Sequence, residues 1–148
     1  KGDYSVDLII WEETKIGKRT TKKLPKDFKI KKFKISALIF KYLESFKPGN
    51  NKKSLNLLLK SLETDEPEKI FYMLVRQVRL LIIAKDLGKE GLSGPGWIKG
   101  KLLRQAKAFT LKELKNVHSR LLQIDISIKR GKSLLSLSKQ LELLTASL

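Results

Sequence analysis

Residues 94–101, GPGWIKGK, are the stretch that most resembles a phosphate-binding loop before a helix. Such a loop has four residues between its glycines, followed by Lys and by a Ser or Thr whose hydroxyl binds magnesium. Here only three residues separate Gly96 from Gly100, and Leu102 stands where the hydroxyl is required. No strand pattern precedes the stretch. We therefore expect a turn rather than a nucleotide site, with Trp97 as a core or interface anchor.

The other residues that could perform chemistry are few. His118 is the only histidine and the chain has no cysteine, so neither a catalytic triad nor a zinc site can be assembled from them. We expect His118 at the surface or half-buried. The carboxylates between residues 63 and 68 precede a helix, and its dipole accounts for them. We expect no catalytic residue, no metal, no cofactor and no enzyme.

The formal net charge of +17 in 148 residues favours a polyanionic partner, although a lysine-rich solvated surface is the alternative. Lys99, Arg104, Lys107 and Arg120 are the candidate phosphate contacts. No base-reading motif accompanies them, so any binding to DNA is expected to be weak and sequence-independent. A basic helical nucleic-acid-binding module is one functional hypothesis. It requires these four side chains to form one exposed face.

Residues 66–87 are the helix around which the chain is expected to fold. Apolar side chains cover about two-thirds of its girth, so other helices must surround it. The polar strip contains Tyr72, Arg76 and Arg79. The arginines argue against a membrane span and are expected to pair with carboxylates inside the bundle or across a subunit interface. Asp65 and Glu68 fit a capping box at the start of this helix.

Helical periodicity and caps predict the rest of an α-bundle with five or six helices after residue 35. Ser36 precedes a helix over 37–46, and Thr110 with Glu113 forms a capping box. The other predicted helices cover 52–62, 97–109, 110–129, and a last segment that begins at Ser133 or Ser136. Residues 6–11 and 28–35 read as strands around a short helix, which predicts a β-α-β remnant of a larger α/β domain.

The last helix carries an unusual number of leucines. Leu137, Leu141, Leu144 and Leu148 lie in line, while Leu134, Leu135 and Leu143 point in other directions. A single stripe facing the core does not accommodate all of them. We therefore expect an apolar patch that binds a partner. The alternative is a last helix buried between two others.

Three segments together resemble the C-terminal region of the bacterial DNA polymerase III delta subunit, which belongs to the sliding-clamp loader. The segments are LVRQVRLL, LLRQAKAFT with its continuation TLKEL, and IDISIKRG, followed by a leucine-rich helix. The matching positions are Arg76, Gln77, Arg79, Leu102, Leu103, Gln105, Ala106, Asp125, Lys129 and Gly131. The stretch DLIIWEE, followed by Lys18 and Arg19, also looks like the end of the family's ATPase-like first domain.

The resemblance implies two domains: residues 1–35 as the remnant of the ATPase-like domain, and residues 36–148 as a helical collar that joins loader subunits into a ring. It implies a non-catalytic cytoplasmic subunit that acts in DNA replication. The expected partners are the other loader subunits and, weakly, DNA; no membrane is expected. The expected subunit-interface residues are Leu137, Leu141, Leu144, Leu148, Arg76 and Arg79. The clamp-binding part is missing and the lid domain is absent or shortened, so clamp contact is not assigned to these residues.

Overall fold

A computed structural model of the protein describes residues 16–25, 28–29 and 36–148, and these form seven α-helices without a strand. The helices are α1 (Lys18–Thr21), α2 (Ala37–Ser45), α3 (Asn51–Leu62), α4 (Pro67–Asp86), α5 (Gly96–Ala106), α6 (Leu111–Lys129) and α7 (Leu137–Ala146). The predicted mainly helical bundle is confirmed. The predicted strand at 6–11, and all of the strand at 28–35 except Phe28 and Lys29, lie outside the described residues.

The chain divides into two units, Lys1–Lys34 and Ile35–Leu148. In the first unit, α1 is a single turn that begins after Gly17, whose carbonyl accepts the amides of Thr20 and Thr21 at 3.0 and 3.1 Å. In the second unit, the six helices α2–α7 share one apolar core. The assignment of the first segment to an ATPase-like domain remains a prediction.

Helix α4 is the centre of the second unit because it packs against α2, α3, α5, α6 and α7. Its buried residues are Ile70, Met73, Leu74, Val78, Leu81 and Ala84. Its exposed strip contains Tyr72, Arg76 and Arg79. These are the residues of the polar strip that the sequence predicted. A helix that is apolar over so much of its circumference is shielded from water only when other helices surround it.

The predicted capping box of Asp65 and Glu68 is wrong. Glu66 is the N-cap and its side chain makes no capping bond, while Pro67 is the first helical residue. Asp65 lies one residue too early and instead forms an ion pair with Lys69. Burial by itself would raise the pKa of Asp65, but hydrogen bonds from Lys69, Ser36 and Thr64 and the charge of Lys69 lower that pKa below its ordinary value.

The caps predicted at Ser36 and Thr110 are present. The Ser36 hydroxyl accepts the Ile39 amide at 3.4 Å at the start of α2. The Thr110 hydroxyl accepts the Glu113 amide at 3.2 Å, and the Glu113 carboxylate accepts the Thr110 amide at 2.7 Å. The Thr110 amide and hydroxyl both donate to the Glu113 carboxylate, and these two bonds lower the pKa of Glu113. Local side-chain bonding to free backbone groups therefore sets where these helices begin.

The carboxyl end of α2 is fixed by side chains from other helices. The Ser45 carbonyl accepts the Asn50 amide group and the Ser54 hydroxyl, both at 2.7 Å. The Leu43 and Phe46 carbonyls accept the side-chain amide of Gln105, at 2.7 and 2.8 Å. These carbonyls have no partner within the helix, so the contacts both satisfy them and attach α3 and α5 to α2.

Helix α7 is attached to α2 by a buried polar contact and to α3 by more exposed ones. The Tyr42 and Thr145 hydroxyls are 2.9 Å apart in the core. Burial raises the pKa of Tyr42 and its bond to Thr145 opposes that rise, so the phenol stays protonated. The Asn51 side chain donates to the Ala146 and Leu148 carbonyls at 2.8 and 2.7 Å. The end of the chain is therefore part of the folded unit.

Candidate functional site

A groove of about 700 Å³ runs between α2, α4 and α5. Its floor is aliphatic, formed by Leu43, Met73, Leu80, Ile98 and Leu102. Two aromatic side chains line it as well and keep much of their surface in solvent: Phe40 is 46% exposed and Trp97 is 67% exposed. A large apolar concavity with exposed aromatic residues is typical of a binding site.

Two glutamines hold the walls of this groove together. The Gln77 side chain on α4 donates to the Gln105 side-chain oxygen on α5 at 2.7 Å. The amide group of Gln105 is used by the carbonyls of Leu43 and Phe46. Both glutamines are among the positions that match the delta-subunit resemblance, but 28 residues separate them, so their contact cannot be predicted from the sequence. The sequence indicated a role for Gln77 and Gln105 only through their positions in the segments LVRQVRLL and LLRQAKAFT.

The charged lining of the groove is mainly basic. Lys101 donates to Glu44 at 2.7 Å, and its ammonium nitrogen lies 5.6 Å from the centre of the Trp97 ring. Lys47, Arg76 and Arg104 also line the groove. Within the described part of the chain, these three cations have no carboxylate at ion-pair distance. The sequence predicts binding roles for Arg76 and Arg104. It predicts none for Lys47 and Phe40, which reach the groove only through the packing of the helices.

Residues 94–97 form the turn that leads into α5. Gly94 has a positive φ of 95°, Pro95 is the N-cap, and Gly96 is the first helical residue. The predicted turn is therefore present. Trp97 is not a core residue, which leaves the second expectation, an interface anchor. The α5 helix ends at Ala106 rather than at residue 109.

The four predicted phosphate contacts lie on two helices and the turn between them. Lys99 and Arg104 are five residues apart, so they point about 140° apart around α5, and Lys107 is the residue after that helix. Arg120 lies on α6 and donates to the Ser147 hydroxyl at 2.7 Å. Of these four, Arg104 lines the groove. Lys99 and Arg104 therefore do not share a face of α5, and phosphate binding by the four residues stays a prediction.

The predicted interface leucines of α7 divide between core and edge. Leu141 and Leu144 are 0% and 1% exposed in the core, while Leu137 and Leu148 are partly buried against it. Leu141 and Leu144 therefore contact the chain's own helices and cannot serve as a docking surface in this fold. Their assignment to an interface is corrected, because the face of α7 that carries them is the one turned towards the bundle.

Other leucines of this region are exposed. Leu134 is fully exposed, Leu135 is 46% exposed and Leu143 is 56% exposed. The turn that carries Leu134 is ordered by hydrogen bonds: the Ser133 hydroxyl donates to the Leu135 carbonyl at 2.6 Å, and the Gln140 side chain donates to the Ser133 hydroxyl at 2.6 Å. We call Leu134, Leu135 and Leu143 the C-terminal leucine surface.

The described residues contain no constellation for metal chemistry. No group of three or more His, Cys, Asp or Glu side chains among them is placed to hold a metal ion, and His118 is half-buried. Among the same residues, no helix is both long and apolar enough to cross a membrane. Arg76 and Arg79 are exposed, and neither pairs with a carboxylate of the described bundle.

Five helices packed around the central α4, with a basic groove and exposed leucines, define a helical bundle. Residues 36–146 match the family model described as DNA polymerase III delta subunit, C-terminal domain. The match includes all of α2–α7 and most of the chain, so the protein belongs to this family. The resemblance found in the sequence is thereby confirmed, and a clamp-loader role in DNA polymerase III follows from it. No curated protein and no solved structure gave a match.

Proposed function

We propose that this chain is a delta-subunit segment whose helical unit, residues 36–148, scaffolds the assembly of the clamp-loader ring during DNA replication. The observation that carries the proposal is the family match over residues 36–146. In this role the chain catalyses nothing. It positions one subunit among its neighbours in the cytoplasm, and contact with the sliding clamp is not assigned to residues 36–148.

The C-terminal leucine surface is the best-supported contact with neighbouring subunits. Exposed apolar side chains that lie close together mark protein interaction sites, and these three exposed leucines fall within ten residues of one another in sequence. Leu134 is held in a turn by Ser133 and Gln140 yet buries none of its own side chain against the described bundle. A partner that covers Leu134 would gain the free energy of removing a whole leucine side chain from water. Binding would not have to order the turn, because hydrogen bonds already order it.

Arg76 and Arg79 are proposed as a second contact with neighbouring subunits. The expectation that they pair with carboxylates inside the bundle finds no counterpart in the described residues, since both lie on the exposed strip of α4. Arginine is enriched at protein interfaces and forms bidentate pairs with carboxylates. Acidic side chains of a neighbouring subunit would complement these two guanidinium groups.

The test is co-assembly with the remaining loader subunits, followed by size-exclusion chromatography. Leu134→Asp combined with Leu143→Asp is expected to weaken assembly by about tenfold or more, because it buries charges at the contact. Leu122→Asp is the matched control, because Leu122 is also an exposed leucine, 53% exposed on α6. It points to the side of α6 roughly opposite Arg120, and Arg120 contacts the end of α7. Leu122 therefore faces away from α7. Undiminished assembly of the double variant would refute the surface assignment.

Point variants are preferable to removing residues 133–148. That truncation would take Leu141 and Leu144 out of the core and leave the buried Tyr42 hydroxyl without Thr145. Loss of assembly would then follow from unfolding. Circular dichroism of each point variant must show unchanged helicity before the assembly result is read.

Weak, sequence-independent binding to DNA is a second candidate function, favoured by the net charge of +17. The attraction would come from phosphates, so affinity should fall steeply with salt and be equal for unrelated duplexes. Titrating two unrelated duplexes at several salt concentrations tests this. A preference for one duplex that persists at physiological salt would contradict it.

A further inference from the structure

The groove between α2, α4 and α5 carries uncompensated positive charge. Four cations line it, and the carboxylate among its lining residues, Glu44, is already paired with Lys101. Lys47, Arg76 and Arg104 have no ion-pair partner in the part of the chain that the structure describes. The groove therefore favours an anionic occupant by charge complementarity.

The floor of the groove favours apolar side chains. It is formed largely by aliphatic residues, with Phe40 and Trp97 exposed beside them. Its amides are already in use, since Gln77 donates to Gln105 and Gln105 donates to two carbonyls of α2. The polar edges of a nucleobase on this floor would lose water partners that the aliphatic side chains cannot replace, at a cost that aliphatic groups do not have. Exposed tryptophan beside arginine is also the composition of protein–protein hot spots.

We propose that this groove binds an acidic amphipathic helix of another protein. Aliphatic side chains of that helix would occupy the floor, and its aspartates and glutamates would pair with Lys47, Arg76 and Arg104. Docking of an amphipathic helix in an apolar groove is a common recognition mode, and a groove of about 700 Å³ can take several side chains. None of the C-terminal leucine surface lines this site. Arg76 is shared with the second subunit contact proposed above, but the groove proposal is argued from the groove's own lining and stands if that contact is absent.

The probe is a pair of fluorescein-labelled synthetic helical peptides, rich in glutamate, whose leucines follow an i, i+3, i+7 or an i, i+4, i+7 spacing. Fluorescence anisotropy with the intact chain at physiological ionic strength is expected to show saturable binding of at least one. Replacing its leucines with serine, or its glutamates with lysine, should each abolish saturation. Absence of saturable binding for both acidic peptides, or binding that survives loss of the leucines, would overturn the proposal.

Two charge reversals, one in the groove and one outside it, locate the site. Arg76→Glu should weaken peptide binding by about tenfold or more, and Trp97→Ala should weaken it as well. Arg130→Glu is the matched control, because Arg130 is exposed at the end of α6 and its reversal changes the net charge equally, but Arg130 does not line the groove. It should leave the dissociation constant within about twofold. Equal losses for the two arginine variants would show general electrostatic attraction and overturn the proposal.

A labelled single-stranded oligonucleotide serves as the competing probe. We expect its binding to respond equally to Arg76→Glu and Arg130→Glu and to be insensitive to Trp97→Ala, as diffuse attraction to phosphates requires. If the oligonucleotide, and neither peptide, depends specifically on Arg76 and Trp97, the groove is a nucleic-acid site and the proposal fails.

Discussion

Gln105 joins three helices, and replacing it with methionine tests how far the groove walls depend on one side chain. Methionine has a similar length but makes none of the three hydrogen bonds of Gln105 to Gln77, Leu43 and Phe46. Each such bond contributes about 0.5–1.5 kcal/mol net, so the full loss is about 1.5–4.5 kcal/mol. Gln105 is partly exposed, and water can replace some of the lost bonds, so we expect about 2–3 kcal/mol.

The assay is urea denaturation followed by circular dichroism, with the free energy of unfolding obtained by linear extrapolation. Gln77→Met removes one of the three bonds and should cost about 0.5–1.5 kcal/mol. The double variant should cost less than the sum of the two single variants, because the bond between Gln77 and Gln105 is lost in both. Gln123→Met, at an exposed position of α6, is the control and should stay within about 0.5 kcal/mol of the parent.

Two results would refute this reasoning. If Gln105→Met and Gln77→Met destabilise equally, the bonds of Gln105 to the α2 carbonyls contribute nothing. If the two single effects add exactly, the side chains are not coupled, and the contact at 2.7 Å has no energetic consequence.

Three further predictions concern the core, the α3–α4 corner and the glycine-rich turn. Leu74→Ala should destabilise the fold by about 2–5 kcal/mol, because Leu74 is fully buried at the centre of α4; an unchanged melting midpoint would contradict the central position. Asp65→Asn should lower stability most above the ordinary carboxyl pKa of 3.8. Because the pKa of Asp65 is lower in the folded state than this ordinary value, its stabilisation is present above the ordinary pKa and is lost as the pH falls through the folded-state pKa. The parent and the variant should therefore converge in urea titrations at acid pH. Lys101→Ala should leave Mg-ATP binding undetectable in calorimetry, as in the parent, because Lys101 pairs with Glu44 rather than facing a phosphate loop; binding by the parent that the variant loses would disprove this.

The sequence by itself determined most helix boundaries in residues 36–148. Ser36, Thr110 with Glu113, and Ser136 bond to backbone amides within three residues, and such local bonds are readable from spacing alone. The apolar girth of α4 likewise required neighbours on most sides. The sequence does not determine the start of α4 in this way, because Asp65 and Glu66 are both acidic and either could precede the helix. In the folded structure Glu66 is the N-cap, and Asp65 pairs with Lys69 instead of capping α4.

The tertiary structure alone decided which leucines of the last segment are surface and which are core. Leucines occur on several sides of α7, so periodicity cannot select a buried face. Packing against α3 and α6, and the contact of Thr145 with Tyr42, turn Leu141 and Leu144 inward and leave Leu143 outside. The groove depends in the same way on distant pairs, such as Gln77 with Gln105, because side chains far apart in sequence meet only after the helices pack.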